Sequence, residues 1–121
     1  MNKANLPDVF TKAVMAAAQA LRRQNFESAQ LHIADAMALR MDAPQPHNLL
    51  GILSELNGDD ISARRHYRAA YALDPTYKPA CRNLERLVMF EWGAQSRAFD
   101  YGEKPEGPDK ENGVPPTNAP V

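Results

Sequence analysis

Cysteine occurs once in this chain, at Cys81, so no internal disulfide can form and a reducing cytoplasm is the expected setting. Aromatic residues make up only 7 %, which leaves the core to alanine, leucine and other small packing units. Neither sign of charge is in excess. Fourteen Lys and Arg stand against fifteen Asp and Glu, giving a net charge of −1 and a pI near 6.3. That balance gives no global reason to expect nucleic acid or an anionic membrane as partner. No apolar run approaches the roughly 20 residues of a membrane span. The alanine-rich beginning, MNKANLPDVFTKAVMAAAQALRR, is interrupted by Asp8 and Lys12 where a signal peptide needs an apolar core. A glycine-rich phosphate loop is also missing, as is a carboxylate pair with a positioning partner. Nothing in the sequence argues for an enzyme, and no cofactor is expected.

What is present is helical punctuation. Five of the ten prolines and four of the six glycines fall after residue 92. The end of the chain, EKPEGPDKENGVPPTNAPV, has too little apolar surface to offset its ordering entropy. Residues 103–121 therefore read as disordered, and the chain divides into a folded domain over 1–95 and a Pro/Gly-rich tail over 96–121. Before residue 92 the breaks are few and evenly placed, at Gln24-Asn25, Asp42 to Pro44, Gly58-Asp59 and Asp74-Pro75. They delimit helices near 8–23, 26–40, 45–57, 60–73 and 78–92. Asn25, Asp59 and Thr76 stand where N-caps belong, and Pro46 and Pro79 in first turns, where a missing N–H does little harm. No segment alternates with the period of a strand. The expected fold class is all-α.

Residues 49–75, LLGILSELNGDDISARRHYRAAYALDP, place a glycine inside a helix, where it costs about 1 kcal/mol against alanine. Laid against residues 15–41, the stretch repeats. Ala29 and Ala63, Ile33 and Tyr67, Ala36 and Ala70, and Leu39 and Leu73 are each 34 residues apart. A 34-residue period with helix–turn–helix content is the signature of tetratricopeptide repeats. The second unit resembles that family closely through Leu50-Gly51, Gly58-Asp59, Ala63, Tyr67, Ala70, Leu73 and Asp74-Pro75. It departs from the family at His47 and Ser54. The first unit has Ala17 for the motif glycine and Met41 for the closing proline. The helix at 78–92 aligns with the first half of a third unit, with Leu84 and Val88 at core positions, and is expected to cap the array. The resemblance covers residues 10–91. It implies a short α-α superhelix of about two and a half repeats, in which Gly51 and Ala17 leave room for the partner helix near Ala63 and Ala29.

The remaining reactive residues read as structure. His32 and His66 repeat one position, and neither they nor His47 has the i, i+4 partner or carboxylate cluster of a metal site, so no metal is expected. A histidine phosphotransfer role for His66 would need a four-helix bundle, not a repeat. Cys81 lies on an apolar stripe without a histidine base beside it and reads as a small hydrophobe. Arg64, Arg65 and Arg68 read as a solvated face, lacking the aromatic interleaving of a nucleic-acid site. Asp59-Asp60 complements a helix dipole.

In the tetratricopeptide family the first helix of each unit lines a concave face where a partner's peptide or helix docks. Spacing of i, i+4, i+7 picks out Val14, Ala18 and Leu21, then Asn48, Ile52 and Glu55, then Arg82, Arg86 and Met89. That face runs from apolar through polar to basic. The family's charged variant, which clamps the C-terminal carboxylate of heat-shock chaperones, would place its clamp at Val14, Ala18, Leu49, Pro79 and Asn83, where only Asn83 is polar. The expected function is a non-enzymatic adaptor, scaffold or chaperone that binds an acidic-aromatic protein segment, with no nucleic-acid or membrane partner. The repeats also resemble those of small bacterial proteins that assist secretion or pilus assembly. The alternative is a self-associating structural subunit, since so short an array invites end-to-end pairing, and either a monomer or a weak homodimer fits. Charge reversal at Arg82 and Arg86 is expected to abolish partner binding and spare the fold.

The segment WGAQSRAFDY at 92–101 carries three aromatics. The simpler expectation is that Trp92 and Phe99 extend the capping helix and cover its outer face. The competing one is that residues 96–103 partly occlude the groove, held there by Arg82 and Arg86. Deletion of 103–121 should leave the helical circular dichroism and the melting temperature unchanged; a melting point lowered by more than a few degrees would show that the tail is packed.

Overall fold

The computed structural model describes residues 7–91 and 98–102. Residues 103–121, expected to be disordered, and Trp92 lie outside the described residues. The chain forms five helices, α1 (Val9–Arg22), α2 (Phe26–Leu39), α3 (Gln45–Leu56), α4 (Asp60–Leu73) and α5 (Lys78–Glu91). Among the described residues there is no strand, so the all-α class holds. Every helix end falls within one residue of the boundary expected from the breaks.

The caps explain those boundaries. The carboxamide of Asn25 accepts from the backbone N–H of Ser28 at 3.2 Å, and Asp59 accepts from Ser62 at 3.0 Å. These two caps stand 34 residues apart and open helices of equal length. Asp8 caps α1 in the same manner, accepting from Thr11 at 2.7 Å. Donation from these backbone N–H groups holds the Asp8 and Asp59 carboxyls below the usual range. Thr76 does not cap α5. It stands two residues ahead of the helix, and its hydroxyl and N–H both donate to Asp74 Oδ1, at 2.6 and 3.0 Å, closing the Asp74-Pro75 turn instead.

The turn between α3 and α4 uses Gly58 at φ +80°, and the matching turn between α1 and α2 uses Gln24 at φ +57°. Left-handed backbone is free for glycine and strained for glutamine, so the second turn is the better built.

α1 packs on α2 and α3 on α4 as two helix hairpins, with α2 against α3, α1 against α3, and α5 against α4. The interfaces are lined by small residues. Ala17, Ala29, Ala36, Ala63 and Ala70 have no exposed surface. Pro79, Ala80, Asn83 and Leu87 are buried on α5, whereas Leu84 is half-buried and Val88 is exposed, one position away from the expected core register.

The glycine in α3 faces the partner helix α4 and meets one large side chain there. A Cβ built on Gly51 would stand 2.5 and 2.8 Å from Cδ1 and Cζ of Tyr67, and closer still to Cε1. The three nearest atoms all belong to the Tyr67 ring, one turn along α4 from Ala63, so it is the ring that needs the vacancy. At the equivalent places in the first hairpin stand Ala17 and Ile33, both buried: a smaller side chain on the second helix accompanies a methyl group on the first.

Gly51→Ala should destabilise the protein by about 1–3 kcal/mol through overpacking, despite alanine's better helix propensity. Combined with Tyr67→Ile, it should cost clearly less than the sum of the two single changes in urea unfolding. Strict additivity would break the proposed contact.

Candidate functional site

α1, α3 and α5 carry the side chains singled out by helical spacing. Val14, Ala18, Leu21 and Ile52 are buried members of the hydrophobic core. Asn48 and Glu55 are buried polar residues of α3, Arg86 is partly buried, and Arg82 is exposed. Met89 is 61 % exposed and lines an open depression with Leu84, Glu85 and Val88, away from this group.

A polar relay organises the site. The Tyr67 hydroxyl donates to Glu55 Oε2 at 2.6 Å. Arg86 closes a two-pronged ion pair on the same carboxylate, Nη1 to Oε1 at 3.0 Å and Nη2 to Oε2 at 2.5 Å. The Glu55 side chain has no exposure and that of Arg86 only 13 %. Burial, followed by the neighbouring Glu55 carboxylate, pushes the Tyr67 phenol well above its ordinary range, so it stays a donor. A buried carboxylate is costly unless its oxygens are satisfied; here three donor hydrogen bonds serve the two oxygens.

Residues 98–102 lie on this face. The two asparagines hold the main chain of Asp100: its carbonyl accepts from Nδ2 of Asn48 at 3.0 Å and from Nδ2 of Asn83 at 2.8 Å, and its N–H donates to Oδ1 of Asn83 at 2.9 Å. Asn83 also donates to Asn48 Oδ1 at 2.8 Å. The Asp100 carboxylate pairs with Arg82 at 2.8 Å. The Arg86 guanidinium lies 4.9 Å from the Phe99 ring centroid, and that of Arg22 lies 4.5 Å from the Tyr101 ring. The two rings meet edge to face at 6.1 Å, and both pack against the buried core.

Phe99 is thus not helical, and it packs against the buried core on this face instead of extending α5. Of the expected groove residues, Asn48, Glu55, Arg82 and Arg86 converge on one place, the apolar four join the core against which the rings pack, and Met89 does not join. Arg22 was not anticipated, and Asn83 was considered only as a poor match to a carboxylate clamp. Asn83 did carry a signal. It falls at i+4 from Pro79 and four before Leu87, in the middle of a stripe that is otherwise apolar, and all three are buried.

The other candidates stay apart from this site. Burial lowers the pKa of both His47 and His66, with the His47 charge adding to the effect at His66. Cys81 is half-buried. Among the described residues, no group of three His, Cys, Asp or Glu is placed to hold a metal, and no helix is long and apolar enough to cross a membrane. No protein-family model, curated protein or solved structure matches the chain.

The ion pair revises the expectation for charge reversal. Arg82→Glu changes an exposed position, but reversal at Arg86 would set a second negative charge against buried Glu55. Arg86→Ala should cost about 3–5 kcal/mol, the scale for a buried pair losing one partner, while Arg82→Ala should cost no more than about 1 kcal/mol. Comparable losses for the two in denaturant unfolding would mean that the Glu55 pair is not formed.

Proposed function

We propose that this chain is a non-enzymatic protein-interaction module of the tetratricopeptide type, in which two helix hairpins and a capping helix form a short superhelix whose concave face holds an extended segment of a partner protein. The observation that carries this reading is the grip of Asn48 and Asn83 on both main-chain polar groups of Asp100. Hydrogen bonds to backbone N–H and C=O suit any extended segment. The flanking groups then select side chains: Arg82 a carboxylate, Arg86 and Arg22 aromatic faces. The 34-residue recurrence of caps, turns and buried alanines supports the superhelical part of the reading. A reducing cytoplasm belongs to it as well, because the fold calls on no disulfide.

A self-associating subunit is the second reading, favoured by the exposed Val88 and Met89 beside Leu84 on α5. Sedimentation across a wide concentration range separates it from a monomeric binding module.

Peptide-display selection against the full-length protein tests the leading reading. Enriched sequences should combine an acidic residue with neighbouring aromatics, and their affinity should fall about tenfold on Arg82→Glu, which removes an exposed ion pair and sets a like charge in its place. Selected peptides indifferent to both Arg82→Glu and Asn83→Ala would remove this face as the binding site.

A further inference from the structure

Each of residues 99–102 meets a different reader on the concave face. Phe99 lies under Arg86, Asp100 faces Arg82, and Tyr101 lies under Arg22. Gly102 is read by exclusion. Its φ of +71° is left-handed, and an added Cβ would stand 3.0 Å from Cζ of Tyr77, closer still to its hydroxyl oxygen, and 3.3 Å from Cγ of Pro79. Both the backbone angle and the Tyr77 wall therefore select against an L side chain. The Gly102 N–H turns back to donate to Asp100 Oδ1 at 3.0 Å, so the acid and the glycine fix one compact turn.

The hold on the segment is specific in geometry and modest in strength. Phe99, Asp100, Tyr101 and Gly102 all keep partial exposure, unlike the core residues beneath them. The Arg82–Asp100 pair is exposed by 42 % and 23 % on its two side chains, a setting in which ion pairs hold weakly. The segment contributes to no helix or sheet. A tether raises its effective concentration to about the millimolar range, enough to favour occupancy by contacts that would be weak between separate molecules.

We propose that residues 98–102 are an exchangeable plug: a built-in copy of the partner's binding segment, which has the pattern aromatic–Asp–aromatic–Gly and enters the groove by displacing them. This rests on the reading of the concave face as a segment-binding groove. A plug seated 90–99 % of the time lowers the apparent affinity for the incoming segment by about 10- to 100-fold, so access to the groove is set by the chain itself.

The probe is the pentapeptide Ala-Phe-Asp-Tyr-Gly, amidated and fluorescently labelled, titrated into full-length protein and into a full-length variant with Phe99→Ala and Asp100→Ala. Circular dichroism checks that the variant's helices are intact. The peptide should bind the variant at least about tenfold more tightly than the wild type. The same peptide with alanine for its glycine should lose about tenfold, and Tyr77→Phe in the plug variant should recover part of that loss. A second measurement needs no plug variant: unlabelled pentapeptide added to 15N-labelled wild-type protein should move the Asn83 side-chain amide and Gly102 amide resonances together.

Equal affinity for wild type and variant, or indifference to the glycine, overturns the plug and its pattern. If selected acidic-aromatic peptides still depend on Arg82 in that case, the groove reading survives without the plug. If the pentapeptide neither binds the variant nor moves either resonance in the wild type, the plug is overturned. Failure of the selected peptides to respond to Arg82→Glu and Asn83→Ala then overturns the groove as well.

Discussion

The contact between Tyr67 and the backbone of α3 at Gly51 is the constraint from which the rest of the site follows. Only a glycine admits the ring so close to that helix. Seated there, the phenol reaches Glu55 one turn further along α3 and donates to it at 2.6 Å. Glu55, held without exposure, fixes the guanidinium of Arg86 from α5, and Arg86 in turn covers Phe99. A steric vacancy in one helix thereby becomes an oriented cation on another. The local propensity cost of glycine, about 1 kcal/mol, is small beside the cost of leaving the Glu55 charge buried without partners.

Comparison of the two hairpins within the chain supports this chain of dependence. Gly51, Glu55 and Tyr67 correspond at the 34-residue offset to Ala17, Leu21 and Ile33. The first set combines a vacancy, a carboxylate and a phenol; the second combines a methyl and two aliphatic side chains, all buried. Each set is consistent internally, and a mixture would not be. A tyrosine at 33 would meet the methyl of Ala17 and find no acceptor at Leu21, while an isoleucine at 67 would leave Glu55 short of a donor. The Tyr67–Glu55–Arg86 network is thus confined to the second hairpin and α5, and the first hairpin supplies apolar support and the Arg22 guanidinium over Tyr101.

The fold was legible in the sequence because its determinants are local. Asn25 and Asp59 cap helices within three residues of themselves, Pro46 and Pro79 start helices, and Gly58 ends a turn. The 34-residue offset then picked out the alanines that are buried at equivalent places in both hairpins. The site was legible only as a face: helical spacing found Asn48, Glu55, Arg82 and Arg86 but also chose Met89, because the spacing describes an isolated helix and not its neighbours. The Glu55–Arg86 pair spans 31 residues and the Asn83–Asp100 contacts 17, and no local pattern encodes such separations. For Gly51 the approaching helix was legible and the Tyr67 ring was not, for a related reason. A small residue announces a close approach without naming what approaches, and the nearest alanine in the motif was a more obvious partner than a large aromatic ring.

The two arginines of α5 do different work because their surroundings differ. Arg86 spends its hydrogen-bonding edge on Glu55, which leaves the flat face of its guanidinium for an aromatic ring; a neutralised cation is poorly suited to attract an acid. Arg82, at 42 % side-chain exposure, meets Asp100 from the solvent side. The asparagine pair between them carries no charge and binds main chain. Polar main-chain recognition at the centre, aromatic contact over the inner arginine and charge pairing at the rim place each interaction where its desolvation cost is lowest. Charge at the rim tolerates water. The amide bonds and rings further in fix register, and they can do so only because the Tyr67–Glu55–Arg86 relay has already satisfied the buried charge beneath them.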